Sequence, residues 1–194
     1  SSVGALIRDH LGPYLIGRDP AKVEEIWNGM LFFTHATTVG AITALAMAAV
    51  DTALWDMRCR RAGLPLHVMA GGMRDRIPVY TTEGGWLHLT PDQLVEQAVA
   101  ARTSGFAGSK VKIGKPHLSE DVQRLTAVRE AVGPGFELMV DANQSFSLSE
   151  ALRRARALDG LNLAWLEEPM PADNIIAHQQ LSRQSSIPIA VGES

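Results

Sequence analysis

The sequence holds a single cysteine, Cys59, so it can form neither an intramolecular disulfide nor a thiolate metal cluster. Cys59 reads as a packing residue, in a chain suited to a reducing compartment such as the cytoplasm. Positive charge is not in excess: 18 lysines and arginines stand against 21 aspartates and glutamates, a formal charge of -3. That balance excludes the basic surface that a nucleic acid or an anionic membrane requires. The apolar stretch 41–50 is too short to span a bilayer and is closed by Asp51. A basic segment leading into an apolar run, as a secretory leader would need, is missing from the N-terminus. Gly84-Gly85 is not followed by a third glycine at dinucleotide spacing, and no Walker lysine motif occurs, which weakens a nucleotide-binding reading.

What is present is the composition of a folded globular chain, 46% hydrophobic and 20% charged over 194 residues, long enough to bury a substantial core. It starts without methionine and stops at Glu193-Ser194, directly after an apolar run, and is expected to be a piece of a longer protein. The first third reads as helical, with Ala44, Leu45, Ala48, Ala49, Ala53 and Leu54 recurring at helix spacing. Pro65, Gly71 and Gly72 break that pattern, and a βαβ rhythm begins near Arg76. The strands are expected at 77–80, 109–113, 137–140, 163–166 and 187–191, short and apolar as strands covered on both faces should be. Thr90-Pro91-Asp92-Gln93 and Ser147-Leu148-Ser149-Glu150 read as capping boxes, Ser119 and Asp173 as further helix starts, and Gly160 as a left-handed stop. Pattern alone leaves a doubly wound sheet and part of a (β/α)8 barrel equally open.

Acidic residues fall just past three successive strands: Asp141, Glu167 and Glu193, at separations of 26 and 26 residues. One βα unit apart, they are expected at the same C-terminal edge of a parallel sheet, where α/β active sites are built. Three carboxylates gathered there repel one another unless a cation neutralises them, and hard oxygen donors without His or Cys suit Mg2+ or Mn2+. The bland alternative is that each acid caps the following helix, a role assigned here to Glu168. One unit earlier, Lys110-Val111-Lys112 places two ammonium groups on one face of a strand. Buried beside a second cation, such a lysine is expected to have a lowered pKa and to serve as a base; exposed, the pair would be solvated strand ends.

These segments together resemble the enolase superfamily, and within it the mandelate racemase/muconate lactonizing enzyme branch. The resemblance is carried by SKVKIG at 109–114, MVDANQ at 139–144, WLEEP at 165–169 and VGES at 191–194, with AVDTALWD at 49–56 and PVYTTEGG at 78–85. It implies an α/β fold: strands 1–5 of a partial (β/α)8 TIM-type barrel over 75–194, preceded by helices of an α+β capping domain over 1–74. It also implies Mg2+ held by Asp141, Glu167 and Glu193, as is general for the superfamily, and Lys112 as the base that takes a proton α to a carboxylate. Lys110 would lie against the substrate carboxylate and lower the pKa of Lys112, and Asn143 would line the same pocket.

Within the branch, GGWLH at 84–88, the run 108–133 and MVDANQSF are similar to dehydratases of acid sugars such as galactarate and talarate. The expected activity is therefore a lyase that removes the α-proton of a sugar acid and expels the β-hydroxyl. Racemisation of a 2-hydroxy acid, the nearest rival, shares every residue seen here; cycloisomerisation and dipeptide epimerisation are more distant, and a non-catalytic α/β binding module would differ by showing no dependence on a divalent ion. The branch's paired His and Asp are expected beyond Ser194; none of His10, His35, His67, His88, His117 or His178 matches. His88 and Trp86 read as cover for the barrel mouth. The resemblance further implies a small carboxylate as partner, and a homo-oligomer for the full-length protein.

Overall fold

The computed structural model describes residues 1–37 and 40–192, which divide into two compact units, Ser1–Ile77 and Pro78–Gly192. In the first, α1 (Ser2–Leu6), a π-helical turn (Ile7–Leu11) and α2 (Gly12–Leu15) precede α3 (Val23–Phe33), α4 (Ala41–Ala62) and α5 (Leu66–Met69). Leu11, Ile26, Met30, Ala46, Met47 and Val50 form its core. The helix expected from the alanine-rich run is α4, but the buried stripe is Thr43, Ala46, Met47 and Val50, whereas Ala44, Leu45, Ala48 and Ala49 are exposed. A helix apolar nearly all round carries no phase in its sequence, so packing chooses the face. Cys59 is buried, as expected.

The second unit alternates β1 (Tyr80–Thr81), α6 (Pro91–Thr103), β2 (Gly108–Lys112), α7 (Leu118–Val132), β3 (Glu137–Asp141), α8 (Leu148–Leu158), β4 (Leu163–Glu167), α9 (Ile175–Gln184) and β5 (Ile189–Ala190). Among the described residues the sheet is wholly parallel and its spatial order is β1-β2-β3-β4-β5. A doubly wound sheet reverses its strand order at a switch point; this one never does, so it is the partial barrel. It also curls. The rings of Tyr80 and Trp165 meet edge to face with centroids 5.4 Å apart, although two strands lie between β1 and β4. Strands about 4.8 Å apart in a flat sheet would hold those residues roughly 14 Å apart.

Leu138 and Val140 of β3, with Val111 of β2, turn outward to meet Leu94, Leu125, Val128, Leu158 and Leu181 from the helices. The alternation slips once, in β4: Leu163 pairs with Leu138 but Leu166 pairs with Val140, so Ala164 and Trp165 share one place. This bulge lets Leu163 and Leu166 both join the outer core and brings Glu167 level with Asp141. Several helix ends differ from expectation. Thr90 does form a full capping box with Gln93, and Ser147 accepts from the Glu150 N–H, but Glu150 turns its carboxylate to Arg153 and Arg154. Helix α7 is capped at His117 rather than Ser119, the His117 N–H donating to Glu120 at 3.0 Å, and α9 at Asn174 rather than Asp173. The left-handed stop is Asn162, not Gly160, which lies in a 3-10 turn over Asp159–Leu161. Adjacent polar residues compete for one cap, and side-chain reach decides between them.

A lysine-carboxylate cluster on the concave face

The strand register lines up the chemistry. Lys110 is level with Met139, Lys112 with Asp141, and Asp141 with Glu167. All four charged side chains therefore emerge on the concave face at the C-terminal ends of β2, β3 and β4. Lys112 Nζ donates to Asp141 Oδ2 at 2.5 Å, and Lys110 Nζ to Glu167 Oε1 at 2.5 Å while lying 3.3 Å from Asp141 Oδ2. Only 8% of the Lys110 side chain and 1% of Asp141 are exposed. Neither lysine is a solvated strand end. Neither acid caps a helix, since the caps of α8 and α9 are Ser147 and Asn174.

Each carboxylate is held by its second oxygen. The Asn143 N–H donates to Asp141 Oδ1 at 2.9 Å, with Asn143 itself in the left-handed region, φ 45°. The Trp165 indole N–H donates to Glu167 Oε2 at 2.8 Å. Burial alone would raise the Asp141 pKa, but the hydrogen bonds from Lys112 and Asn143 and the nearby ammonium charges hold it below the ordinary carboxylate value. At Lys110 burial lowers the pKa, yet Glu167 and Asp141 together hold it above the ordinary value. Its bonded neighbours are carboxylates, and their attraction outweighs the desolvation of the ammonium.

The donor set fits a hard divalent cation, because two carboxylates on adjacent strands already share one positive group, the Lys110 ammonium. Among the described residues no third His, Cys, Asp or Glu completes a metal-holding group. Glu193, the third ligand expected from the sequence, lies outside the described residues. Glu168 is not a helix cap. It is buried at φ 39°, its Oε2 accepts from Gln144 Nε2 at 3.0 Å, and its backbone carbonyl accepts the Gln144 N–H at 2.7 Å. Gln144 Oε1 in turn accepts the Ala172 N–H, so this pair ties the loop after β3 to the loop after β4. Trp165 and Gln144 were not singled out by the sequence reading; their place beside the acidic strand ends is the signal that could have found them. Trp86 is partly exposed, and its backbone carbonyl accepts from Arg124 at 3.1 Å.

Close backbone packing sets the lysine strand. The carbonyl of Gly85 accepts the Lys112 N–H at 2.7 Å, and a Cβ at Gly85 would lie 2.0 Å from the Lys110 carbonyl oxygen. Gly85→Ala is therefore expected to destabilise the unit by about 1–3 kcal/mol through overpacking. Chemical denaturation checks this, and an unchanged midpoint would contradict the packing.

Residues 1–71 match the family described as mandelate racemase / muconate lactonizing enzyme, N-terminal domain, and residues 93–194 that described as enolase C-terminal domain-like. An L-talarate/galactarate dehydratase of Salmonella typhimurium is 42% identical over 179 residues, covering 92% of this chain and 45% of that protein. A 3,6-anhydro-alpha-L-galactonate cycloisomerase of Streptomyces coelicolor is 38% identical over 195 residues, covering 100% of this chain and 54% of the relative. Among solved structures, an L-talarate dehydratase of a Polaromonas species, complexed with Mg and L-glucarate, superposes with a TM-score of 0.88 at 38% identity over 99% of this chain and 54% of that one. A racemase of Streptomyces coelicolor with bound magnesium superposes at 0.91, also at 38% identity and with the same coverage. The chain spans about half the length of the curated relatives it matches.

Proposed function

This chain belongs to the mandelate racemase/muconate lactonizing enzyme family of the enolase superfamily, and from that premise we propose that it is part of a Mg2+-dependent dehydratase of sugar acids. The observation that carries the proposal is the cluster itself: two lysines from one strand facing two carboxylates from the next two, in register on a concave face. Mg2+ would be held by Asp141, Glu167 and Glu193, and when bound it supplies the positive charge that makes a proton next to a carboxylate removable.

The remaining steps belong to the side chains. Lys112, the less buried of the two lysines, accepts the α-proton at Nζ, for which it must be neutral and released from Asp141. Lys110 stays protonated, as its carboxylate neighbours favour, and holds the substrate carboxylate. Asn143, exposed at the rim of the same strand end, lines the pocket. Loss of the β-hydroxyl as water, protonated by an acid outside these residues, leaves an enol that becomes a 2-keto-3-deoxy acid. Racemisation or cycloisomerisation of a related acid is the second reading. It is favoured by the cycloisomerase and racemase relatives, and it would use Lys112 and Lys110 for the same opening proton transfer.

The test is to incubate the full-length protein with C6 sugar diacids and monoacids in deuterium oxide. A 2-keto-3-deoxy product carrying solvent deuterium at C3, whose formation stops on chelation and returns with added Mg2+, supports dehydration. α-Deuterium wash-in with an inverted or cyclised product selects the second reading, and the absence of both deuterium incorporation and product formation with every acid overturns both readings.

A further inference from the structure

Beneath the lysine strand lies a group of buried charges that the proposed chemistry does not use. Asp121 and Arg124 of α7 and Arg154 of α8 are 0%, 3% and 3% exposed, on helix faces that otherwise carry Leu125, Val128, Ala151, Ala155 and Leu158. Apolar residues there would serve the core at least as well, since taking three charges out of water costs several kcal/mol each before pairing recovers it. What the charges do instead is hold backbone. Arg124 Nη1 donates to the Lys112 carbonyl at 3.0 Å and to Asp121 Oδ1 at 3.2 Å, while Nη2 donates to the Trp86 carbonyl at 3.1 Å. Asp121 accepts the N–H groups of Gly114 and Lys115 at 2.8 and 3.2 Å and is paired with Arg154. Arg154 Nη2 donates to the Lys115 carbonyl at 2.8 Å, and its guanidinium lies over the Phe146 ring.

The turn that leaves β2 is thus gripped at Lys112, Gly114 and Lys115, with Gly114 supplying the positive φ of 119° at which the chain turns. Lys112 is the last residue of β2, so the plane of its peptide sets where Nζ points. The Arg124 fork fixes that plane against the loop carrying Trp86, with two donors at a set angle. We infer that Arg124 is a positioning residue for Lys112, aiming the base from behind the sheet; what Lys112 does rests on the function proposed above.

The experiment compares Arg124→Lys and Arg124→Ala with the wild type in the Mg2+-loaded full-length protein. Arg124→Lys keeps the buried charge but cannot fork. A displacement of the base of about 1 Å predicts a loss approaching 100-fold in kcat for α-proton exchange in Arg124→Ala, with KM within about threefold and Arg124→Lys between. Unchanged kcat per folded site, or losses that appear only in KM, would overturn the assignment. A second readout needs no substrate: lysines are reductively methylated with carbon-13, and the Lys112 resonance is identified by its loss in Lys112→Arg. A shifted resonance in folded Arg124→Lys supports the positioning role, and an unmoved one overturns it. If the wild type exchanges no α-proton, the functional proposal fails and the resonance still decides the role of Arg124.

Discussion

Lys112→Ala in the full-length protein should lose about 10⁴-fold in turnover while still binding Mg2+. General-base catalysis contributes about 10²–10⁴-fold, and the upper end applies where no other proton acceptor stands beside the base. Lys110 is the nearest alternative on the strand, but it is buried, bonded to Glu167 and Asp141, and held protonated by them. The loss should fall on kcat with little change in KM, because the missing interaction is made as the proton moves. Solvent deuterium exchange at the substrate α-carbon measures it. Continued exchange by a folded Lys112→Ala protein would assign the base elsewhere, first to the histidine expected beyond residue 194.

Asp141→Ala should act on the fold as well as on the metal. Its carboxylate, 1% exposed, accepts from Lys112, from the Asn143 N–H and, at longer range, from Lys110. Removing it leaves the Lys112 ammonium without its carboxylate, Lys110 with Glu167 alone, and one backbone donor without its acceptor. Breaking a buried pair in this way costs about 3–5 kcal/mol, a large part of the stability of an ordinary domain. In the metal-free protein the urea midpoint should fall accordingly. Calorimetric Mg2+ binding should disappear, while Asp141→Asn, which keeps an acceptor for Asn143, should recover part of the stability and little of the metal affinity. Wild-type Mg2+ affinity in Asp141→Ala would remove that residue from the ligand set.

The parallel sheet and the lysine-carboxylate cluster were legible because they rest on short-range pattern. Short apolar runs between capped helices mark the strands, and equal spacing puts Asp141 and Glu167 at the ends of adjacent strands, though the bulge that brings them level was not legible. The phase of α4 was not legible, since Ala41–Val50 is apolar on every side and only its neighbours single out Ala46 and Met47. His117, Asn174 and Asn162 took caps expected at Ser119, Asp173 and Gly160, each one or two positions away, because the local backbone, and not residue type alone, decides which residue ends a helix. Asp121, Arg124 and Arg154 left a trace that went unread: charges at positions where the helical period calls for leucine. Their meaning depends on contacts some 30 residues apart, such as Arg154 with Asp121, which no local window contains.

The bulge at Ala164 and Trp165 gives β4 a consequence for its descent by insertion and deletion. Counted by strict alternation from the outward Leu163, Glu167 would face the helices and Glu168 the hollow of the sheet. One supernumerary residue inverts that parity. Two chemically identical neighbours are thus told apart by the bulge alone: were Ala164 and Trp165 to take separate places in the ladder, the inner position would pass to Glu168 with both glutamates still in the sequence. Loss of either Ala164 or Trp165 would straighten β4 and leave Glu167 inward, level with Asp141, whereas a residue gained or lost between the bulge and Glu167 would exchange the two glutamates.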